Sequence, residues 1–228
     1  MRGAARSLLW TACCGLLGLA AAAPSSATTV TVVMTGTWSQ VTDTAGVLDG
    51  SVTAGGSFTA TFTYDDQTPD CEPFVGIGCY VMNGSSGTLA FSTGNYSFLD
   101  QGTSQNGVGT EDSVQGVDLV GLFFDRYSIS GPLAAGVGLA PLAYANPTLT
   151  DYSETALTSD QLLDVPWDSS LWDGSFYFFG PVTNRGPQDF VEFSGSITSI
   201  QVVPEPEMAR LVLLVLSVAL IRARTRNQ

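Results

Sequence analysis

The chain of 228 residues is long enough for one sizeable hydrophobic core, and only 13% of its residues are charged. It contains no histidine and no lysine, which excludes Ser-His-Asp and Cys-His nucleophilic machinery and leaves paired carboxylates as the available acid/base groups. Between residues 28 and 203, two arginines stand against nineteen acids, a formal charge of −17, so we expect no nucleic-acid partner.

The amino terminus has the order of a secretory signal peptide. Arg2 and Arg6 precede an apolar run from Leu8 to Ala23, and the small residues of 24–27 follow this run. We place signal cleavage after Ala27, because signal peptidases need small side chains at the cleavage site. Residues 1–27 therefore predict export of a body that begins at residue 28.

The body, residues 28–203, alternates apolar and hydroxylated side chains. From Ser57 to Tyr64 the odd positions carry hydroxyl groups, while Phe58, Ala60 and Phe62 lie on one face, as a half-buried antiparallel strand requires. Further strands are predicted at Thr29–Trp38, Tyr80–Asn83, Thr88–Ser92, Tyr96–Leu99, Gly116–Phe124, Tyr127–Ser130, Ser175–Phe179 and Asp189–Val203. About nine short strands predict an all-β domain, an antiparallel β-sandwich of jelly-roll type, with a closed barrel as the alternative.

Cys71 and Cys79 are the two cysteines that remain after removal of the signal peptide, and they lie eight positions apart. In an oxidising compartment such a pair is predicted to form a structural disulfide that stabilises the fold by roughly 2 to 3 kcal/mol. The spacing is not that of a Cys-x-x-Cys redox motif. A zinc site is not expected, because no histidine is present to complete it.

Four acids crowd the turn that leads into this cysteine loop: Asp65, Asp66, Asp70 and Glu72. Carboxylate oxygens are the hard ligands that calcium prefers, so calcium binding at this turn is one hypothesis. The alternative is a solvated turn in which aspartate side chains cap nearby main-chain amides. No other cofactor is expected.

Two Trp-Asp pairs, Trp167-Asp168 and Trp172-Asp173, place indole faces beside carboxylates. Indoles stack on the apolar faces of sugars while carboxylates bind their hydroxyls, so one hypothesis is a glycan-binding module. The alternative is that these aromatics pack in the core. A third hypothesis is a glycoside hydrolase whose facing acids would come from Asp164, Asp168 or Asp173.

The carboxy terminus combines three features in a fixed order. Pro204, Glu205 and Pro206 come first, an apolar helix is predicted over 208–221, and arginines close the chain. These arginines are Arg222, Arg224 and Arg226. The prolines lack backbone N–H donors and keep their stretch extended, whereas the apolar helix favours hydrocarbon. Arginines after such a helix stay on the cytoplasmic side of the membrane, which leaves the body outside.

This order of features resembles the PEP-CTERM sorting signal of Gram-negative bacteria, which we identify with residues 204–228. Within the body, Gly56–Asp65 and Gly195–Ile200 are similar to the extracellular regions found in front of such tails. The resemblance implies that an exosortase recognises the Pro-Glu-Pro motif and processes the chain there. It also implies transient anchoring in the inner membrane with the body in the periplasm, followed by transfer to the cell surface or extracellular matrix.

Proteins with this signal are associated with exopolysaccharide and biofilm production, so the resemblance implies an exopolysaccharide-linked envelope as the destination. The restricted set of catalytic groups is unfavourable for an enzyme. We therefore predict a signal peptide at 1–27, an extracytoplasmic domain at 28–203 and a sorting signal at 204–228, in a non-enzymatic surface or matrix protein.

Overall fold

The computed structural model contains eleven antiparallel strands in the part of the chain that it describes, which confirms the predicted all-β class. The described residues are 29–72, 74–82, 87–101, 106–114, 117–133, 137–159, 161–162, 165–186 and 188–203. The predicted signal peptide, the sorting tail and Asp164 lie outside them. The strands are β1 (Thr29–Asp43), β2 (Ser57–Asp65), β3 (Ile77–Val81), β4 (Gly87–Thr93), β5 (Tyr96–Asp100), β6 (Gly107–Val114), β7 (Val117–Asp125), β8 (Tyr127–Ser130), β9 (Tyr144–Asp151), β10 (Asp173–Pro181) and β11 (Phe190–Val203).

All of these strands belong to one sheet, in the order β3-β6-β7-β9-β10-β11-β1-β2-β4-β5-β8. The sheet is curled into a half-barrel. Because each described strand is hydrogen-bonded into this single order, a separation into two sheets is not seen in the described part of the chain. Strands β3 and β8 form the two edges of the sheet.

Apolar side chains from both halves of the sheet fill the inside of the curl. Phe91 of β4 contacts Phe178 of β10 with ring centroids 5.0 Å apart, and Phe62 of β2 contacts Phe124 of β7 at 5.7 Å. Neither pair of strands is adjacent in the sheet, so both contacts cross the curl. The predicted alternation of β2 is confirmed, since Phe58, Ala60, Phe62 and Tyr64 are all buried.

Strand β9 was not predicted, because its sequence contains Pro147 and a proline is unusual inside a sheet. It pairs continuously with β10, where Phe176 lies opposite Pro147. On the other side its pairing with β7 is interrupted opposite Leu122 and Phe123. Proline has no N–H to donate, so this interruption is where the sheet accommodates it.

Strand β6 was also not predicted, because its Gly-rich and acidic sequence lacks an extended apolar alternation. It is held by hydrogen bonds to β3 on one side and to β7 on the other. Only Val108 and Thr110 contribute buried side chains among its first five residues. Pairing with neighbours therefore creates this strand, and its own sequence contributes little.

Within the described ranges of 29–203 there is no helix whose length and apolar character would allow it to span a membrane.

Candidate functional site

The Cys71–Cys79 disulfide is formed, with its Cα atoms 5.1 Å apart, which confirms the predicted pairing. The bridge holds residues 70–72 along the free edge of β3, where Asp70 pairs with Tyr80. The Cys71 N–H donates to the Cys79 carbonyl at 2.7 Å, and the Cys79 N–H donates to Asp70 Oδ1 at 2.8 Å. Both main-chain groups of Cys79 are therefore satisfied, and this part of the sheet edge is covered against pairing with another chain.

The predicted calcium ligands surround the same loop, and three of them accept local hydrogen bonds. Asp65 Oδ1 accepts the Gln67 N–H at 2.9 Å, and Asp66 Oδ1 accepts from Gln67 Nε2 at 3.1 Å. Asp70 Oδ1 also accepts the Glu72 N–H at 2.9 Å, while Glu72 Oε1 is buried without a hydrogen-bond partner among the described residues. These bonds are those of an amide-capping turn.

Within the described ranges, no group of three or more acidic, cysteine or histidine side chains is arranged to hold a metal ion. Calcium binding at Asp65, Asp66, Asp70 and Glu72 remains a hypothesis.

The two tryptophans of the Trp-Asp pairs pack against the protein and do not form a shared exposed face. Trp172 is only 7% exposed, and its Nε1 donates to the Pro166 carbonyl at 2.8 Å. Trp167 is half-buried, and its Nε1 donates to Tyr64 Oη at 3.0 Å. Its ring centroid lies 6.0 Å from those of Phe62 and Tyr64. Both indoles therefore act as anchors for the segment that leads into β10.

The acids of this segment are local hydrogen-bond acceptors or lie at the surface. Asp168 Oδ1 accepts the Ser170 N–H at 2.9 Å, and hydrogen bonds from Ser170, the main-chain N–H first, lower the pKa of Asp168. Asp173 is exposed at the start of β10. A general acid in a glycoside hydrolase needs a raised pKa, so Asp168 is unsuited to that role.

A row of aromatic side chains on the outer face of the sheet was not predicted. We call it the outer aromatic strip, and it consists of Phe123, Tyr144, Tyr177, Phe179 and Phe190, from strands β7, β9, β10 and β11. Neighbouring rings touch, with centroids 5.3 to 5.9 Å apart. Phe123 is 39% exposed and the other four rings are half-buried. The strip offers partly exposed ring faces to solvent.

Polar groups accompany the outer aromatic strip. Tyr177 Oη donates to Glu192 Oε1 at 2.9 Å, and burial, followed by this bond, raises the pKa of Tyr177. The sequence signal was present in β10, where Phe176 and Phe178 alternate with Tyr177 and Phe179. The first pair is buried in the core, so the second pair faces outward.

Comparisons of the chain with protein-family models, curated proteins and solved structures found no match. The candidate sites therefore rest on the chemistry of this chain's own residues.

Proposed function

We propose that the protein is an exported, non-enzymatic surface or matrix protein, and that its single curled sheet places its two halves face to face in the manner of a jelly-roll-like β-sandwich. The Cys71–Cys79 disulfide is the observation that carries this proposal, because structural disulfides persist mainly in oxidising compartments outside the cytoplasm. The ring contacts across the curl support two facing layers around one core.

The terminal segments supply the route in this proposal. Residues 1–27 direct export, and the apolar segment 208–221 then holds the chain in the inner membrane with the body in the periplasm. An exosortase-type enzyme recognises Pro204–Pro206, and the processed body becomes part of an exopolysaccharide-linked cell surface or matrix. The formal charge of −17 on the body supports solubility outside the cell and disfavours nucleic acids.

Expression in a Gram-negative host that carries an exosortase tests this route. The intact mass of the envelope or secreted fraction should correspond to a chain that begins near residue 28 and ends near the Pro-Glu-Pro motif. Pro204→Ala together with Pro206→Ala should leave the tail attached, whereas Pro132→Ala, at an exposed body proline, should be processed normally. Cytosolic protein with both ends intact would contradict the proposal.

A second candidate function is glycan binding, and the outer aromatic strip favours it. The half-buried Trp167 and buried Trp172 cannot jointly supply an exposed stacking surface, but the five strip rings present a partly exposed row. Aromatic faces stack on the apolar faces of sugars, and the Tyr hydroxyls can bond to sugar hydroxyls. The acidic body repels anionic polymers, so the glycan in this candidate function is neutral.

A further inference from the structure

A cleft of about 540 Å³ lies between edge strand β8 and the segment 138–141. Its walls include the polar residues Gln101, Arg126 and Ser128 and the apolar residues Ile129, Leu139 and Pro141. Small-molecule sites have volumes of roughly 300 to 1,000 Å³ and combine apolar walls with a few polar groups. The cleft therefore falls within the volume range of small-molecule sites and shares their mixture of apolar and polar walls, but it is a groove open to solvent.

Both walls of this cleft are held in place by main-chain hydrogen bonds. On one side, β8 pairs with β5. On the other side, the Ala140 N–H donates to the Pro181 carbonyl at 2.7 Å, and the Thr183 N–H donates to the Gly138 carbonyl at 2.8 Å. The opening between the walls is therefore built into the fold.

Arg126 lies in this cleft at the junction between β7 and β8. Its φ of 55° is left-handed, a conformation that arginine rarely adopts. The conformation is held from both sides, because the Arg126 N–H donates to the Ala143 carbonyl at 2.7 Å and its carbonyl accepts the Gln101 N–H at 3.0 Å. These two hydrogen bonds fix the backbone of Arg126 at the cleft.

The charge environment makes Arg126 unusual. It is one of two cations in residues 28–203, where nineteen acids are present, and it is exposed. No ion pair joins its guanidinium to an acidic side chain among those the structure describes. By contrast, Gln101 Nε2 already donates hydrogen bonds to the Leu99 carbonyl at 3.2 Å and to Ser128 Oγ at 2.7 Å. Arg126 is therefore the cleft residue that can offer several charged N–H donors to a ligand.

We propose that this cleft binds a small monocarboxylate with an apolar body. The guanidinium of Arg126 binds the carboxylate, for which its planar fork is suited, and Ile129, Leu139 and Pro141 contact the apolar part. The surrounding acidic body repels multiply charged anions more strongly than singly charged ones, which selects a monocarboxylate over a phosphate or a polyanion. This inference is independent of the export route and of the outer aromatic strip.

Binding of 4-phenylbutyrate and its neutral amide to the purified exported protein tests the proposal. Titration calorimetry should show about two- to fivefold tighter binding of the carboxylate, the range expected for an ion pair with an exposed guanidinium. Arg126→Asn should remove this preference while preserving the fold, since asparagine tolerates the left-handed conformation better than other non-glycine residues do.

Arg185→Asn is the matched control, because Arg185 is the other arginine of the body, is exposed, and lies outside the cleft. It should leave the preference for the carboxylate unchanged, and Arg126→Lys should retain part of it. Three results would overturn the proposal: no binding of either probe, equal affinity for the carboxylate and the amide, or equal losses in Arg126→Asn and Arg185→Asn. Melting curves of each variant establish that the fold is retained.

Discussion

Asp118 and Asp151 lie directly opposite each other on β7 and β9, and both carboxylates accept main-chain N–H groups of the following loop. Asp118 Oδ2 accepts the Leu157 N–H at 2.8 Å, and Asp151 Oδ2 accepts the Thr155 and Ala156 N–H groups at 2.8 and 2.9 Å. Both side chains are buried. Two buried acids at neighbouring positions would repel each other, so these donors are what allows the arrangement.

The stability of the protein should depend on pH through Asp151. Its pKa is lowered by hydrogen bonds, first from the Ser153 hydroxyl and then from the Thr155 N–H. A carboxyl group with a lowered folded-state pKa stabilises the fold above its unfolded value of about 3.9, and this contribution is lost as pH falls toward the folded value. We therefore expect the melting temperature to decline below about pH 4.

Asp151→Asn separates this contribution from general acid unfolding. The variant should melt at a lower temperature than the parent protein at neutral pH, and the difference should shrink below about pH 4, where the parent loses its own Asp151 contribution. Glu154→Gln, at an exposed acid of the same loop, is the control and should follow the parent curve. Parallel curves for the parent and Asp151→Asn at all pH values would contradict the assignment.

Removal of the disulfide should destabilise the body. Cys71→Ser combined with Cys79→Ser releases a short loop and should lower the free energy of unfolding by roughly 2 to 3 kcal/mol in urea titrations. The Cys71 and Cys79 main-chain bonds do not involve the sulfur atoms, so the edge of β3 should remain covered in the folded state. An unchanged urea midpoint would show that the bridge contributes nothing to stability.

The acidic turn should not require calcium for stability. Oxygens of Asp65, Asp66 and Asp70 already accept hydrogen bonds from nearby protein groups, so we expect the same melting temperature in calcium and in a chelator. The calcium hypothesis would instead be established if calcium raised the melting temperature of the parent protein and of Asp189→Asn, a variant far along the chain, but not that of Asp70→Asn.

The buried side chain of Trp172 should contribute to the stability of the fold. Because its indole is 7% exposed and bonded to the Pro166 carbonyl, Trp172→Ala should cost about 3 to 5 kcal/mol of unfolding free energy. Trp167→Phe retains an aromatic ring but loses the bond to Tyr64, at a cost of about 1 kcal/mol. Urea titrations of both variants measure these differences, and a Trp172→Ala midpoint equal to that of the parent would refute the packing assignment.

The contrast between β2 and β9 shows what the sequence could predict. The alternation in β2 encodes its buried face locally, so both the strand and its core residues followed from the sequence. In β9 the local signal from Pro147 opposes a strand, and only pairing with β10 overrides it.

The Trp-Asp pairs could not be interpreted from the sequence, because an indole beside a carboxylate has the same local pattern whether it is exposed or buried. The Tyr64 hydroxyl that bonds Trp167 is 103 positions away in the sequence, and the burial of Trp172 depends on the core around it, so neither follows from the local pattern.

The outer aromatic strip should bind neutral polysaccharide if the second candidate function is correct. Tyr144→Ala and Tyr177→Ala should each weaken retention in affinity gels that contain hydroxyethylcellulose, by about fivefold or more, as expected for a central aromatic contact. Alginate should not retain any form of the protein, because its carboxylates are repelled by the acidic body.

Tyr152→Ala provides the matched control for the strip. Tyr152 is 71% exposed and lies in the turn directly after β9, which begins at Tyr144 and is about 23 Å long. Its removal deletes an exposed tyrosine ring of the same chemistry without touching the strip, so retention should be unchanged. Equal losses for Tyr152→Ala and Tyr144→Ala would indicate non-specific adsorption, and retention unaffected by Tyr144→Ala and Tyr177→Ala would exclude the strip as a glycan surface. Tyr144 contacts both Tyr177 and Phe179. Combining Tyr144→Ala with Tyr177→Ala should therefore weaken retention by less than the sum of the two single effects.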